Sequence, residues 1–252
     1  MKLGIAIITC DRFPSLESLY NSIKKYTEHS DYEILICNDS RNLPSQTIAD
    51  KLNATVIGKE NGGAIVNKNR ALYYFSEIKK VDVLIFLEDD VLVKNYGWEK
   101  KWISGALKFG QICVAPPWYY LHGEASRYLE SGTGTLDDPF VHQWLTAQCV
   151  SVRMDLLPTF GYFDNAFKGY GYGHMEWTNR FLRAGHGGFF KDVYHYYAIK
   201  DDDLDYVELE SFKSNEDLSK NWEVYRNKYY NNTYVPCPPE VKDDPLYIKA
   251  VS

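Results

Sequence analysis

Val83-Leu84-Ile85-Phe86-Leu87-Glu88-Asp89-Asp90 runs five consecutive apolar residues directly into three consecutive carboxylates. An unbroken apolar run of this length reads as a strand buried on both faces, the kind found in a parallel sheet covered by helices. The triplet then stands just beyond the strand's C-terminal end, where ligands bind in open α/β sheets. Three adjacent carboxylates repel one another, which raises their pKa values and opposes folding unless a cation offsets the charge. Carboxylate oxygens suit Mg²⁺ or Mn²⁺, and such ions commonly share their coordination sphere with substrate phosphates. A solvated acidic turn is the alternative, but the junction with a buried strand favours a cation site.

Outward from this strand the N-terminal half repeats one pattern, an apolar β run followed by a helical segment. Leu3 to Thr9 is the first run, ending in Cys10-Asp11-Arg12-Phe13-Pro14, after which Leu16, Leu19, Tyr20 and Ile23 recur at helical spacing. Glu33 to Cys37 closes on Asn38-Asp39-Ser40, and Ala54 to Ile57 leads through Asn61-Gly62-Gly63 into a helix over residues 65–78. An α/β fold follows, with a mixed, mostly parallel sheet flanked by helices. The second half reads as a long loop or hairpin over 116–143, a strand over 150–153 and a turn at Gly161-Tyr162-Phe163-Asp164. A helix over 175–184 ended by Gly185, and a β run from Gly188 to Tyr194 ending at His195, come next. Residues 201–252, with a helix over about 218–229, read as a peripheral C-terminal extension on one domain.

Composition excludes several classes. The chain has 252 residues, 45% hydrophobic and 25% charged, which is enough for a full core and unlike a disordered or fibrous protein. A net charge of -6 with no basic block leaves no electrostatic footprint for broad nucleic-acid binding. Five cysteines without a CxxC pair read as reduced thiols in a cytoplasmic compartment, not as a disulfide frame or zinc site. No apolar stretch approaches the ~20 residues of a transmembrane helix, and Leu3 to Thr9 is too short for a signal sequence. The 21 tyrosines and 6 tryptophans suit sugar rings, although such side chains also fill cores.

The ordered segments Ile7-Ile8-Thr9-Cys10-Asp11-Arg12, Cys37-Asn38-Asp39-Ser40, Asn61-Gly62-Gly63 to Asn69-Arg70, and Phe86-Leu87-Glu88-Asp89-Asp90 continue with Gly161 to Asp164 and with Gly171-Tyr172-Gly173-His174-Met175-Glu176 through Arg180 and Gly185. Together, over roughly residues 3 to 230, they resemble family-2-like glycosyltransferases of the GT-A fold. The resemblance implies an inverting glycosyltransferase that takes a sugar from a UDP-sugar donor to a hydroxyl of a glycan or glycoconjugate acceptor, with Mn²⁺ or Mg²⁺. It divides residues 1–200 into a nucleotide-sugar-binding half, about 1–110, and an acceptor and catalytic half, 111–200.

Carried over residue by residue, Thr9, Asp11, Arg12 and Asp39 contact the nucleoside, a carboxylate there accepting the N3–H of uracil. Asp39 equally suits an Asx turn. Lys68 and Asn69 stand on the donor side, Lys68 reading equally as an exposed helical lysine. Glu88-Asp89-Asp90 is an EDD version of the family's DxD motif, with Asp90 on the metal, Asp89 near the ribose or the metal's water shell, and Glu88 near donor hydroxyls. His195 matches a position that supplies a further metal ligand. The family's base lies in an ED-x-[DE] pattern, and here Gly173 and His174 occupy the ED pair. The base is then Glu176, or His174 as a neutral imidazole, while Glu176 also suits a pair with Arg180 one turn on. Trp118, Trp144 and Trp177 are placed to stack on an acceptor sugar, the last two also suiting the core. A nucleotidyltransferase is the rival enzyme, but it calls for a Gly-rich basic loop where Thr9-Cys10-Asp11-Arg12 stands. A sugar-binding relative without turnover is a third reading, motivated by the missing acidic residue.

Overall fold

The computed structural model describes residues 1–40, 42–58, 62–121, 124–207, 214–229 and 231–242, and the backbone of 247–248. Asn61 and parts of the 201–252 extension lie outside the described residues. In chain order, β1 (Leu3–Thr9), α1 (Phe13–Tyr26), β2 (Tyr32–Asn38), α2 (Ser45–Leu52), β3 (Thr55–Ile57), α3 (Ala64–Tyr73) and β4 (Val83–Glu88) form the first half. Strands β3, β2, β1 and β4 lie side by side in parallel. The helix expected over 65–78 is α3 continued by a π-helical turn at Tyr74–Ile78.

The second half contains β5 (Val91–Val93), α4 (Glu99–Phe109), β6 (Gln111–Val114), β7 (Leu129–Ser131), β8 (Phe140–His142), β9 (Cys149–Arg153), the one-turn α5 (Leu157–Phe160) and α6 (Gly173–Arg183). These are followed by β10 (Gly188–Phe190), β11 (Tyr194–Ile199), β12 (Leu204–Tyr206), α7 (Asn215–Lys228), the short α8 (Pro239–Lys242) and β13 (Tyr247–Ile248). Strand β9 inserts antiparallel between β4 and β6, and β11 adds parallel to β6. Strands β3, β2, β1, β4, β6 and β11 therefore point one way, and the sheet is mixed and mostly parallel. The segment read as a long loop resolves into 3-10 turns at Pro117–Tyr119 and Ala125–Tyr128 and a β7–β8 hairpin. No helix among the described residues is long and apolar enough to cross a membrane.

Alternation along β1 divides the core. Leu3, Ile5 and Ile7 face one layer with Leu16, Leu19 and Ile23 of α1 and Trp102 of α4. Ala6 and Ile8 face the other with Phe75, Phe86, Phe163, Trp177 and Phe181. Each such fully buried side chain contributes on the order of 1.5–3 kcal/mol. Gly4 keeps the second layer tight, since a Cβ there would come within 2.7 Å of the Phe75 ring.

One expectation is corrected by this topology. The run over 188–194 is not one strand, because Lys191 N–H bonds the Val193 carbonyl and turns the chain, so His195 lies inside β11 and not after a final strand. Ala198 shares a row with Cys113, Val150 and Phe86, which puts His195 three residues back from Phe86 and three strands aside. At about 4.8 Å per strand and 3.3 Å per residue, it stands at least ~15 Å from the acidic triplet.

Candidate active site

The C-terminal ends of β1, β2 and β4 open into a cavity of about 1640 Å³ lined by Thr9, Asp11, Arg12, Asp39, Lys68, Glu88, Asp89, Asp90, Trp118, Trp144 and His174. The ends meet because β1 lies between β2 and β4, in register from Leu3 paired with Tyr32 and with Val83. At the β1 end Asp11 holds a left-handed backbone, φ 53°, and its carboxylate accepts the Asn42 N–H at 3.0 Å and the Ser40 hydroxyl. Asp39 is buried and accepts the Gly63 N–H at 3.0 Å, tying the β2 loop to the start of α3, where the helix dipole favours a negative charge.

The three carboxylates of the triplet have different surroundings. Asp89 is buried and fully engaged, accepting from Thr9 Oγ1 at 2.7 Å and Arg12 Nη1 at 3.0 Å. Burial pushes it up and the Thr9 and Arg12 bonds oppose the shift. It ties the first strand's loop to the fourth. Glu88 pairs with the buried Lys68 ammonium at 3.0 Å. Asp90 accepts from Gln148 Nε2 at 2.9 Å on one oxygen, while its other oxygen is buried with no hydrogen-bond partner among the described residues. Burial, followed by the neighbouring Glu88 charge, pushes Asp90 up to about 6.

A carboxylate oxygen left orphaned next to a second carboxylate is what a bound cation would satisfy. Among the described residues no cluster of three or more His, Cys, Asp or Glu ligands is assembled. Glu88 and Asp90 thus fit a small divalent ion that draws its remaining ligands from water and substrate phosphates. His195 is not brought to them. Its ring stacks on Phe189 at 4.5 Å, and its nitrogens contact the Val193 carbonyl at 2.9 Å and the Glu130 carboxylate at 3.0 Å.

The two expected base residues part company at the start of α6. Glu176 is buried outside the cavity lining, accepting from Arg180 Nη2 at 2.9 Å and Asn232 Nδ2 at 2.8 Å. Burial pushes its carboxyl up and Arg180 opposes the shift. Arg180 in turn bonds the Phe160 and Tyr162 carbonyls, so this pair anchors α6 to the Gly161 turn. His174 lines the cavity, and both of its ring nitrogens are buried without hydrogen-bond partners among the described residues. Burial, and then the Lys68 charge, hold it well below the ordinary histidine value. Gly173 occupies the other expected acidic position, and a Cβ there would come within 2.6 Å of Ile65 and 3.2 Å of Phe167. That contact leaves no room for a carboxylate unless Ile65 moves.

Two further expected contacts are structural. Asn69 is buried away from the cavity, where its amide donates to the Phe163 carbonyl at 2.9 Å and accepts the Phe163 N–H at 2.8 Å. Trp177 is fully buried, stacked on Phe163 and bonded through Nε1 to the Gly161 carbonyl at 2.9 Å. Trp118 and Trp144, 44% and 42% exposed, do face the cavity, the latter stacked on Tyr128. Sequence reasoning missed Gln148, which reaches Asp90 because β9 pairs antiparallel with β4. It also missed the wall formed by Asp217, Trp222, Tyr225 and Arg226 of α7. The apolar-aromatic stripe at 218, 222, 225 and 229 is the signal that was available for the latter.

A mostly parallel sheet whose fourth strand ends in an acidic pair above a long cleft is the architecture of the GT-A class. Residues 4–131 match the model of glycosyl transferase family 2, and the chain belongs to that family. The fold is shared with S. aureus TarS residues 1–349, at 17% identity and TM-score 0.52, over 79% of this chain and 60% of that one. It is also shared with GalNAc-T7 in a structure with UDP, GalNAc and Mn²⁺, at 13% identity and TM-score 0.63, over 90% and 48%. A third similar structure is the mannosyltransferase PcManGT from Pyrobaculum calidifontis with GDP-Man and Mn²⁺, at 14% identity and TM-score 0.56, over 96% and 67%. The chain thus spans 60% of the TarS fragment and 48% of GalNAc-T7. No curated protein matches it.

Proposed function

We propose that this chain transfers a sugar from UDP to a hydroxyl of a glycan or glycoconjugate, with inversion at the anomeric carbon and with Mn²⁺ or Mg²⁺ held by Glu88 and Asp90. The observation that carries it is the orphaned, buried Asp90 oxygen beside Glu88, in one cavity with Asp39 and Lys68. The nucleotide sugar and Mn²⁺ named for PcManGT support the same ligand classes here. In this scheme Asp11, Arg12 and Asp39 hold the nucleoside and Lys68 faces the diphosphate. A divalent cation, when bound, stabilises negative charge as it develops on the departing diphosphate. Thr9 and Asp89 act one step back by fixing Arg12 and the first loop.

We assign the base to His174 in preference to Glu176, because His174 lines the cavity as a neutral imidazole and Glu176 is spent on Arg180 and Asn232. In this role a ring nitrogen of His174, buried in the structure, is uncovered to the acceptor hydroxyl and takes its proton. Burial first and the Lys68 charge second depress this histidine, and a diphosphate beside Lys68 would offset the second of these. Residues 1–110 then form the donor half and 111–200 the catalytic half, with α7 of the 201–252 extension lining the acceptor side.

Calorimetry with UDP, GDP, CDP and ADP, each with and without Mn²⁺, tests the donor assignment. UDP is expected to bind best and only with the metal. Equal affinities for the four nucleotides would remove the uridine assignment, and metal-independent binding would remove the cation.

A further inference from the structure

Helix α7 contributes a cation and an aromatic ring to the cavity, to which the donor scheme above assigns no role. Trp222 and Arg226 are one turn apart, four residues on the same helix face, and both line the cavity. The Trp222 ring packs on Tyr172 at 5.5 Å and Tyr225 at 5.9 Å and remains 46% exposed, so part of its aromatic surface is left open. Arg226 makes no hydrogen bond or ion pair with the described residues. The other cavity cations are engaged, Arg12 with Asp89 and Lys68 with Glu88.

Their place in the cavity is set by how α7 packs on α6 and on the loop before it. Asn221 of α7 bonds the carbonyls of Lys168, Tyr170 and Gly171 just before α6, and Tyr225 accepts from Asn179, five residues into the helix beyond His174. Helices α6 and α7 therefore run side by side in the same direction. Arg226 follows Tyr225, whose ring packs on Tyr172 at 5.3 Å and whose hydroxyl accepts from Asn179, so it lies beside the first turns of α6. Asp217, the carboxylate on this face of α7, is nine residues and about 13 Å back along the helix.

From this geometry we propose that Trp222 and Arg226 form an acceptor subsite for a sugar that carries an oxyanion, a carboxylate or a phosphate. The pyranose ring stacks on the open part of the Trp222 surface while the Arg226 guanidinium bonds the oxyanion, the planar fork being suited to both groups. The proposal rests on the glycosyltransferase reading and names the acceptor class for it.

The test titrates the full chain with methyl β-glucuronide, glucose 6-phosphate and neutral methyl β-glucoside, followed by saturation-transfer NMR, with and without UDP and Mn²⁺. One of the charged probes is expected to bind about tenfold tighter than the glucoside, the scale of one hydrogen bond to a charged group. Whether it is the glucuronide or the phosphate identifies the source of the oxyanion. Arg226→Gln should erase that preference, Arg226→Lys should retain most of it, and Trp222→Ala should weaken all three probes alike. Equal binding of charged and neutral probes by the wild type, or a preference that survives Arg226→Gln, overturns the proposal. Weaker UDP binding by Arg226→Gln also overturns it, by placing the guanidinium at the donor. The nucleotide-free arm decides the acceptor question by itself, so failure of UDP binding would count against the glycosyltransferase reading alone.

Discussion

Asp90 and Glu176 are both buried carboxylates, and the difference in their partners separates binding from architecture. Glu176 has Arg180 on one oxygen and Asn232 on the other, whereas one oxygen of Asp90 has no partner among the described residues. Asp90→Asn keeps the shape and removes the charge. It is expected to lower Mn²⁺-dependent UDP affinity at least about 100-fold, since a metal contact is worth several kcal/mol and each 1.4 kcal/mol is tenfold. Calorimetry on the folded variant checks this, and unchanged affinity would remove the metal from Asp90. Glu176→Gln leaves the Arg180 guanidinium buried without its counter-charge and is expected to cost about 3 kcal/mol of stability by urea unfolding. If it instead kept its stability and lost turnover, Glu176 would regain the role of base. Sequence pattern alone could not separate these outcomes, because Glu176 and Arg180 at i,i+4 fit an ion pair as well as a base beside a helix.

At the scale of elements, what was legible depended on whether the signal was local. The acidic end of β4, the Asp39 loop after β2 and the α6 helix were readable because burial, turn chemistry and helical spacing are written in consecutive residues. Asn69 was placed on the donor side because its neighbour Lys68 faces the cavity, but adjacent helical residues point about 100° apart and Asn69 turns instead to the Gly161–Asp164 loop. Its paired bonds to both backbone groups of Phe163 make it a clamp between α3 and that loop. Asn69→Ala should therefore lower stability by about 2 kcal/mol, through two buried backbone groups left unpaired, while leaving UDP affinity within twofold. Thermal unfolding and calorimetry on the same variant check the two halves of this expectation. His195 was misplaced for a related reason. The run from Gly188 to Tyr194 reads as one strand ending at His195, and the turn at Lys191 that separates β10 from β11 contains neither Gly nor Pro.

Across the whole molecule, strand order was the least legible property, because the insertion of β9 between β4 and β6 pairs residues far apart in the chain and no local pattern encodes it. That insertion carries Gln148 to Asp90, and the packing of α7 on α6 and the loop before it completes the cavity around His174. Enclosing a histidine with no hydrogen-bond partner among the described residues has a consequence for stability as a whole. The folded chain holds His174 neutral, through burial first and the Lys68 charge second, well below its ordinary value of 6.5. Below pH 6.5 the unfolded chain takes up a proton that the native state refuses, so this residue's contribution is complete above that pH and is lost as pH falls toward the folded value. Asp90, raised to about 6, works in the opposite direction between about pH 6 and 4, where the native state binds the extra proton. The histidine effect is therefore isolated by difference. His174→Phe replaces the orphaned imidazole with a ring suited to neighbours Phe163 and Trp177. Urea unfolding of both proteins at pH 7.5 and 5.5 should show the wild type losing up to about 1.4 kcal/mol per pH unit below 6.5 relative to the variant. Parallel losses in the two proteins would mean that His174 takes up its proton inside the fold, and would require an anionic neighbour that the native cavity places within reach of the ring.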